Sequence, residues 1–379
     1  MNVRLFRPDL GERELEAVRG AFDRAWLGLG PKVSEFEEKW SAFVGAPCSV
    51  ATNSATAGLH LALAVWRFPR GKKVLVPGMT FAATALAPLY EGLEPVFVDC
   101  DPETLGLDLG DLERKIDKDC VAVMPVHMGG HPVPMDRLLD LCAPHGLKVV
   151  EDCAHTAGGE YKGRKLGTWG DMGVFSFEEK KCMTTGDGGM IALADPGFEE
   201  PLKAMRWMGI DKDTWKRNRL YTEAGADVRH WYYEIALLGY KYNMNDLAAS
   251  IGLVQLERIH ELNGARHRAL LTYLERLKGL RHARPLFPYV TDGTCPYWIF
   301  GLRCDDRDGL MAHLKERGVS TGLHYSPLTA HPLFAPYACP LPNAQRLYGE
   351  MITLPLFAGI REEEIAYVCD NVSNWDKAQ

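Results

Sequence analysis

The sequence predicts an α/β protein: a mostly parallel, seven-stranded sheet with helices on both faces, followed by a smaller C-terminal α+β domain. Three observations carry this. Short apolar runs alternate with helical stretches up to about residue 196, as in chained strand-helix-strand units. Most of these runs are apolar throughout, which marks strands buried on both faces. Beyond that point the pattern turns helical, and the last hundred or so residues mix strands with helices.

Taken in order, Val33, Phe36, Trp40 and Phe43 recur at helical spacing with Glu35, Glu37, Glu38 and Lys39 between them, so 33–44 is an amphipathic helix. Strands are expected at Cys48–Thr52, Val74–Pro77, Pro95–Asp99, Val121–Val126, Leu147–Glu151, Gly173–Phe177 and Gly189–Leu193. Helices are expected at Thr56–Val65, Phe81–Glu91, Asp111–Lys115 and Met135–His145. Long helices follow over Asp246–Glu261 and Gly264–Lys278, then a strand over Trp298–Arg303 and helices over Asp308–Arg317 and Glu362–Asn371. The segment 211–234, rich in Trp, Tyr and charge, reads as a long loop. The expected division is a large domain over 1–260 and a small one over 261–379, with 1–30 a candidate to pack on the small domain.

Composition narrows the function. A chain of 379 residues with 46% hydrophobic and 25% charged residues is an ordinary globular protein that buries its core without staples. A net charge of −7 argues against a nucleic-acid polymer as partner, though a single nucleotide needs only a local basic pocket. No run of about 18 apolar residues suggests a membrane span, and Met1–Pro8 lacks the apolar stretch of a signal peptide. None of the ten cysteines lies close enough to another for a zinc-type pair, so they read as reduced, mostly buried thiols of a cytoplasmic protein, and no metal is expected.

Four stretches carry chemistry, each at an expected carboxyl end of a strand, where open α/β sheets place their ligands. Ser54, Ala55 and Thr56 open a helix, whose free N–H groups and dipole favour a phosphate; taken alone, the stretch reads more readily as a plain helix cap by Asn53 or Ser54. Phe81, after the next strand, could stack on a flat ring or simply fill the core. Glu151 and Asp152 end an apolar strand, where a buried carboxylate wants a cation such as a protonated ring nitrogen, or a metal, or a helix to cap. In Phe175–Gly189, Ser176 is a further phosphate contact, and the lysines that follow the strand suit a Schiff base with an aldehyde or a solvated turn. Phosphate cradle, aromatic plate, ring-nitrogen carboxylate and lysine together are what pyridoxal 5′-phosphate requires.

On these residues the chain resembles the DegT/DnrJ/StrS family of pyridoxal-phosphate-dependent nucleotide-sugar aminotransferases, of the aspartate aminotransferase fold type I. The similarity runs from about Leu27 to Val368. It includes Gly28-Leu29-Gly30-Pro31, Pro125-Val126-His127-Met128-Gly129-Gly130, Gly239-Tyr240-Lys241-Tyr242-Asn243-Met244, His324-Tyr325 and Leu354-Pro355-Leu356. The resemblance implies that Lys181 forms the Schiff base and Lys180 is a bystander. It sets Asp152 against the pyridine nitrogen and His155 near the cofactor's phenolic oxygen. It gives Ala55, Thr56 and Ser176 to the phosphate, with Ser54 beside them, and Phe81 to the ring. Lys241 or Asn243 would reach the phosphate of a partner subunit, making a homodimer with shared active sites, and His324 and Tyr325 would touch substrate.

The implied reaction moves an amino group from L-glutamate, through pyridoxamine 5′-phosphate, to a nucleotide-linked keto sugar such as a 4-keto-6-deoxyhexose. The amino sugar would serve glycan, lipopolysaccharide or natural-product biosynthesis. Trp207, Trp215, Trp231, Tyr232 and Tyr233 could stack on base or sugar, or pack the loop. Cys153 and Cys182 would back the site as packing residues. Departures from the family pattern are Glu178 for the usual His, Lys241 and Asn243 for Asn and Arg, and Met208 for His. A sugar dehydratase or eliminase and a non-catalytic regulatory protein of the same fold are the alternatives. Dehydratase relatives carry His at the lysine position, so Lys181 argues against that branch.

Overall fold

The computed structural model describes residues 1–211 and 233–379. The expected loop at 211–234 lies outside the described residues except at its ends, and Trp215, Trp231 and Tyr232 lie outside them with it.

The large sheet contains β1 (Cys48–Thr52), β2 (Lys73–Pro77), β3 (Glu94–Val98), β4 (Cys120–Val123), β5 (Lys148–Asp152), β8 (Met172–Ser176) and β9 (Gly189–Leu193), with a short hairpin of β6 (Glu160–Tyr161) and β7 (Arg164–Lys165) outside it. Its order is β1-β9-β8-β5-β4-β2-β3. The pairs among β8, β5, β4, β2 and β3 are parallel, and β9 runs antiparallel between β8 and β1. This is the seven-stranded, mostly parallel sheet that the apolar runs predict.

The register of β9 decides where the site forms. Gly189 pairs with Ser176 on one side and with Thr52 on the other. The start of β9 and the ends of β8 and β1 therefore share one edge with Asp152 at the end of β5. A Cβ on Gly189 would lie 2.6 Å from the Ala55 nitrogen, so glycine lets the helix after β1 start against the sheet.

Helix α1 spans Glu12–Asp23, α2 Pro31–Val44, α3 Ala55–Ala64 and α4 Ala83–Tyr90. Phe36 and Trp40 of α2 bury against Phe175 and Phe177, with centroids of Trp40 and these two rings 4.9 and 5.0 Å apart. Large rings removed from water dominate core energetics, and this cluster braces the strand that leads to Lys181.

Several expected elements shift their ends. Helix α4 begins at Ala83, which leaves Phe81 outside it. The two long helices are Asp246–Glu257 and Ile259–Arg276; at their junction Arg258 bonds Asp9, Glu14 and Glu261. The expected strand at Trp298 begins at Phe300, because the Trp298 nitrogen bonds Gly129 O, 2.9 Å away, instead of entering the ladder. That strand, β11 (Phe300–Cys304), lies between β10 (Ala283–Pro285) and β12 (Met351–Leu354) in a second, antiparallel sheet.

At the N-terminus Val3 exchanges backbone hydrogen bonds with Gly318 and Ser320, both 2.9 Å, while α1 packs on the helix Asp246–Glu257. All ten cysteines are free thiols. Among the described residues no helix is long and apolar enough to cross a membrane.

Candidate active site

A cavity of about 710 Å³ opens at the edge of the sheet where β5 and β8 end. Ser54, Ala55, Thr56, Phe81, Asp152, His155, Ser176, Lys181, His324 and Tyr325 all line it, so the fold gathers the four motifs and the late His-Tyr pair.

The cradle is the start of α3. Ser54 caps the helix, its Oγ accepting the Ala57 N–H at 3.2 Å. The first turn of a helix has N–H groups without intrahelical acceptors, and its dipole favours an anion there. Ser176 faces the same space, and its Oγ accepts the Glu178 N–H at 3.4 Å, which leaves the hydroxyl proton to donate.

Asp152 is buried at 4% exposure. Its carboxylate accepts the Thr84 hydroxyl at 2.8 Å and the Ala154 N–H at 3.1 Å, and among the described residues it forms no ion pair. Burial pushes its pKa up against these two hydrogen bonds and the more distant charges of Lys181 and His127. A buried carboxylate without a counter-cation is costly, and a protonated ring nitrogen in the cavity would supply one.

Lys181 follows the end of β8 by a tight turn in which its N–H donates to Glu178 O. Burial lowers its pKa to about 8, against the pull of Glu178 and Asp152, so a useful fraction is a neutral amine near pH 8. Lys180 is the exposed neighbour, with Nζ 3.6 Å from Glu178. Glu178, in place of a histidine, puts a carboxylate on the cavity wall.

His155 accepts the Gly129 N–H at Nδ1 (3.3 Å), which assigns its proton to Nε2, 3.3 Å from the Tyr325 hydroxyl. Burial and the nearby Lys181 hold its pKa well below the usual histidine range, so it is a neutral donor. His324 bonds Thr353 Oγ1 at 2.9 Å, and burial lowers its pKa to about 4. Phe81 is 57% exposed at the mouth, its ring 5.9 Å from that of Tyr325.

Lys241 and Asn243 do not line this cavity. Lys241 Nζ lies 3.6 Å over the Trp207 ring and donates to Asn243 Oδ1 at 2.7 Å. Their segment nevertheless runs beside the cradle, since Asn53 N bonds Tyr242 O at 2.7 Å and Asn243 bridges Thr52. Trp207 and Tyr233 also lie outside the cavity lining.

Glu151 is turned away from the cavity. It accepts the N–H groups of Gly167, Trp169 and Gly170 within 2.7–2.8 Å and His127 Nε2 at 3.2 Å. Val133 N donates to His127 Nδ1, so both ring nitrogens are used. Cys153 completes a buried His127–Glu151–Cys153 group, but burial beside two carboxylates drives its thiol pKa far up. His127 and Glu151 form a hydrogen-bonded brace. Cys182 is likewise buried, its thiol bonding Pro296 O at 3.5 Å behind the lysine.

Three lining or bracing residues escape the sequence reading. Thr84 lies in the Pro77–Thr84 stretch that carries Phe81, and its hydroxyl is the only local signal. Phe6 and Trp298 come from segments far apart in the chain and stack with centroids 5.2 Å apart, and nothing local in the sequence marks either.

The model of the DegT/DnrJ/EryC1/StrS aminotransferase family matches residues 8–373. Among curated proteins, the spore coat polysaccharide biosynthesis protein SpsC of Bacillus subtilis is 34% identical over 380 residues, covering 96% of this chain and 95% of its own. Among solved structures, the aminotransferase TlmJ of Streptoalloteichus hindustanus superposes with a TM-score of 0.90 at 32% identity, covering 99% of both chains. The putative sugar aminotransferase Spr1654 of Streptococcus pneumoniae, in its pyridoxamine-phosphate (PMP) form, gives 0.91 at 27% identity over 100% of both.

Proposed function

The chain belongs to the DegT/DnrJ/EryC1/StrS aminotransferase family, and from that premise we propose that it moves the amino group of L-glutamate to a keto sugar carried on a nucleotide diphosphate. It is a pyridoxal-phosphate-dependent sugar aminotransferase of fold type I. The donor, the nucleotide and a 4-keto-6-deoxyhexose as acceptor are our reading. One observation supports the aminotransfer chemistry: a lysine of lowered proton affinity and a buried carboxylate lacking a counter-cation line one cavity whose wall includes a helix start.

In this reading the first turn of α3, at Ser54, Ala55 and Thr56, holds the phosphate with Ser176. Phe81 covers the ring, Asp152 faces its nitrogen, and neutral His155 donates to its phenolic oxygen. When bound, the cofactor supplies an electron sink for the bond-breaking at the donor's Cα. Lys181 would hold the cofactor through its amine, and the same amine, when free, would serve as the base for the donor's Cα proton. Asp152 would favour a protonated ring nitrogen, and the aromatic walls would exclude water. His324 and Tyr325 contact the substrate.

A homodimer belongs to the same reading, with Lys241 and Asn243 reaching the partner's phosphate. Exposed apolar side chains beside that segment support it: Ile235 is 68% exposed and Leu238 79%. A cytoplasmic location, where thiols stay reduced, belongs to the same reading.

The test is the visible spectrum of the purified, pyridoxal-phosphate-loaded protein before and after glutamate, then 2-oxoglutarate release with UDP-, dTDP- and GDP-linked keto sugars. Bleaching by glutamate, with one 2-oxoglutarate per amino sugar, is expected. No spectral response to any amino donor would sink the reading, and turnover without glutamate consumption would point to an eliminase.

A further inference from the structure

Trp298 is the residue around which Lys181 is built. The lysine Nζ lies 3.8 Å from the centroid of the indole. The indole N–H donates to Lys180 O at 2.7 Å, and the Arg266 guanidinium donates to Lys181 O at 2.9 Å, so consecutive carbonyls of the lysine turn are both held. Trp298 is itself 3% exposed and fixed on several sides. His155 stacks on it at 4.2 Å and 13°, Phe6 at 5.2 Å and 1°, and His324 meets it edge-on at 5.0 Å.

Among the described residues no carboxylate comes as close to the amine as this ring face does. Glu178 and Asp152 attract it, Lys180 repels it, and Cys182, His155 and His324 lie close. Among the described residues none of the carboxylates comes within ion-pair reach of Nζ. A ring face attracts an ammonium without covalently or ionically trapping it, and the attraction grows in a dry site.

On the reading that Lys181 is the cofactor lysine, we infer that Trp298 is its positioning residue. The ring seats the amine whenever it is not bonded, and the indole N–H fixes the turn that aims it. The amine then stays in the cavity, ready to capture the aldehyde or a proton, instead of folding onto Glu178 or Asp152. Exchanging the ring for an aliphatic side chain keeps the amine out of water but withdraws a preference for the charged form, so the amine gives up its proton more readily.

The experiment uses the full chain without cofactor, grown with 5-fluorotryptophan. The W298F variant assigns the Trp298 fluorine resonance by its loss. That resonance is expected to titrate with a midpoint near about 8 in the parent, set by Lys181, and to stop titrating there in K181M. His324, near about 4, titrates outside this window. In W298L the pH midpoint for the rate of pyridoxal-phosphate capture, followed by visible absorbance, should fall by about half a unit or more, with W298F between it and the parent. A Trp298 resonance that is flat from pH 7 to 9, or that titrates alike in K181M, overturns the inference. So does an unshifted midpoint in a folded W298L. Should W298L not fold, the fluorine titration decides alone. If K181M still forms the coloured complex with pyridoxal phosphate, the assignment of Lys181 itself fails, whatever the fluorine signal does.

Discussion

The Thr84 hydroxyl donates to Asp152 Oδ2 across 2.8 Å and links the helix after β2 to the end of β5. The bond orients a carboxylate whose burial alone disfavours its charge. Asp152→Asn removes the charge and keeps the shape. Without cofactor, this protein should melt no lower than the parent at neutral pH. The sign follows from linkage: a carboxyl whose folded pKa is raised stabilises the fold less as pH rises past its unfolded value. With cofactor, kcat should fall by about 10²- to 10³-fold, the scale for one lost electrostatic contact to a reacting centre. Melting curves and single-turnover rates check both. In kcat Thr84→Val should lie between, because the carboxylate stays but loses one hydrogen bond, and without cofactor it should melt below the parent for the same reason.

Lys181 gives a pH prediction of the opposite kind. Its folded pKa is lowered to about 8, while the unfolded lysine titrates at the ordinary lysine value of 10.5. Between those two values the unfolded chain binds more protons, so this lysine's contribution makes stability rise with pH across that window. Cofactor-free Lys181→Met should therefore exceed the parent in stability below about pH 8, and the difference should shrink toward pH 10.5. Denaturant titrations at several pH values measure it. A constant difference would mean that the amine is solvated in the folded protein.

The sheet and the motif edge were legible because both rest on local patterns. Apolar runs mark strands buried on both faces, and the turns that follow them hold Ser54, Asp152 and Lys181. Boundaries moved where a tertiary contact intervenes. Trp298 leaves its strand because its backbone N–H bonds Gly129, and Phe81 precedes its helix to line the cavity mouth. Phe6 and Trp298 could not be found locally, since their relation to Lys181 exists only once both segments fold over the sheet. The same holds for Glu151, read with Asp152 as an acidic pair. In the fold, neighbours on a strand face opposite sides, and only Asp152 reaches the cavity.

That division between Glu151 and Asp152 is open to test. Glu151 is fully buried and accepts three backbone N–H groups and His127. Glu151→Gln places an amide donor against these donors and should lower stability by about 3 kcal/mol. His127→Ala should cost less, because the backbone donors remain. Zinc should raise the melting temperature of none of these proteins, and EDTA should leave the parent unchanged, since both His127 nitrogens are in use and the Cys153 thiol resists ionisation. A zinc-dependent rise in the parent would make the group a metal site after all.

The side chains of Lys241 and Asn243 bond each other beside Trp207, outside the cavity of their own chain, while their backbone lies against Thr52 and Asn53 at the cradle. If they serve the second subunit's phosphate, lesions at Lys181 and at this pair complement. Lys181→Ala and the double variant Lys241→Ala/Asn243→Ala should each be nearly inactive alone. In a mixed dimer one site then has both defects and the other has neither. Random exchange of subunits makes about half the dimers mixed, so activity should recover to about a quarter of the parent's. Co-refolding or co-expression with two affinity tags, followed by assay of the doubly tagged fraction, reads this directly. That fraction should carry about half the parent's activity per dimer. Were it as inactive as its parents, Lys241 and Asn243 would act within their own chain or not at all.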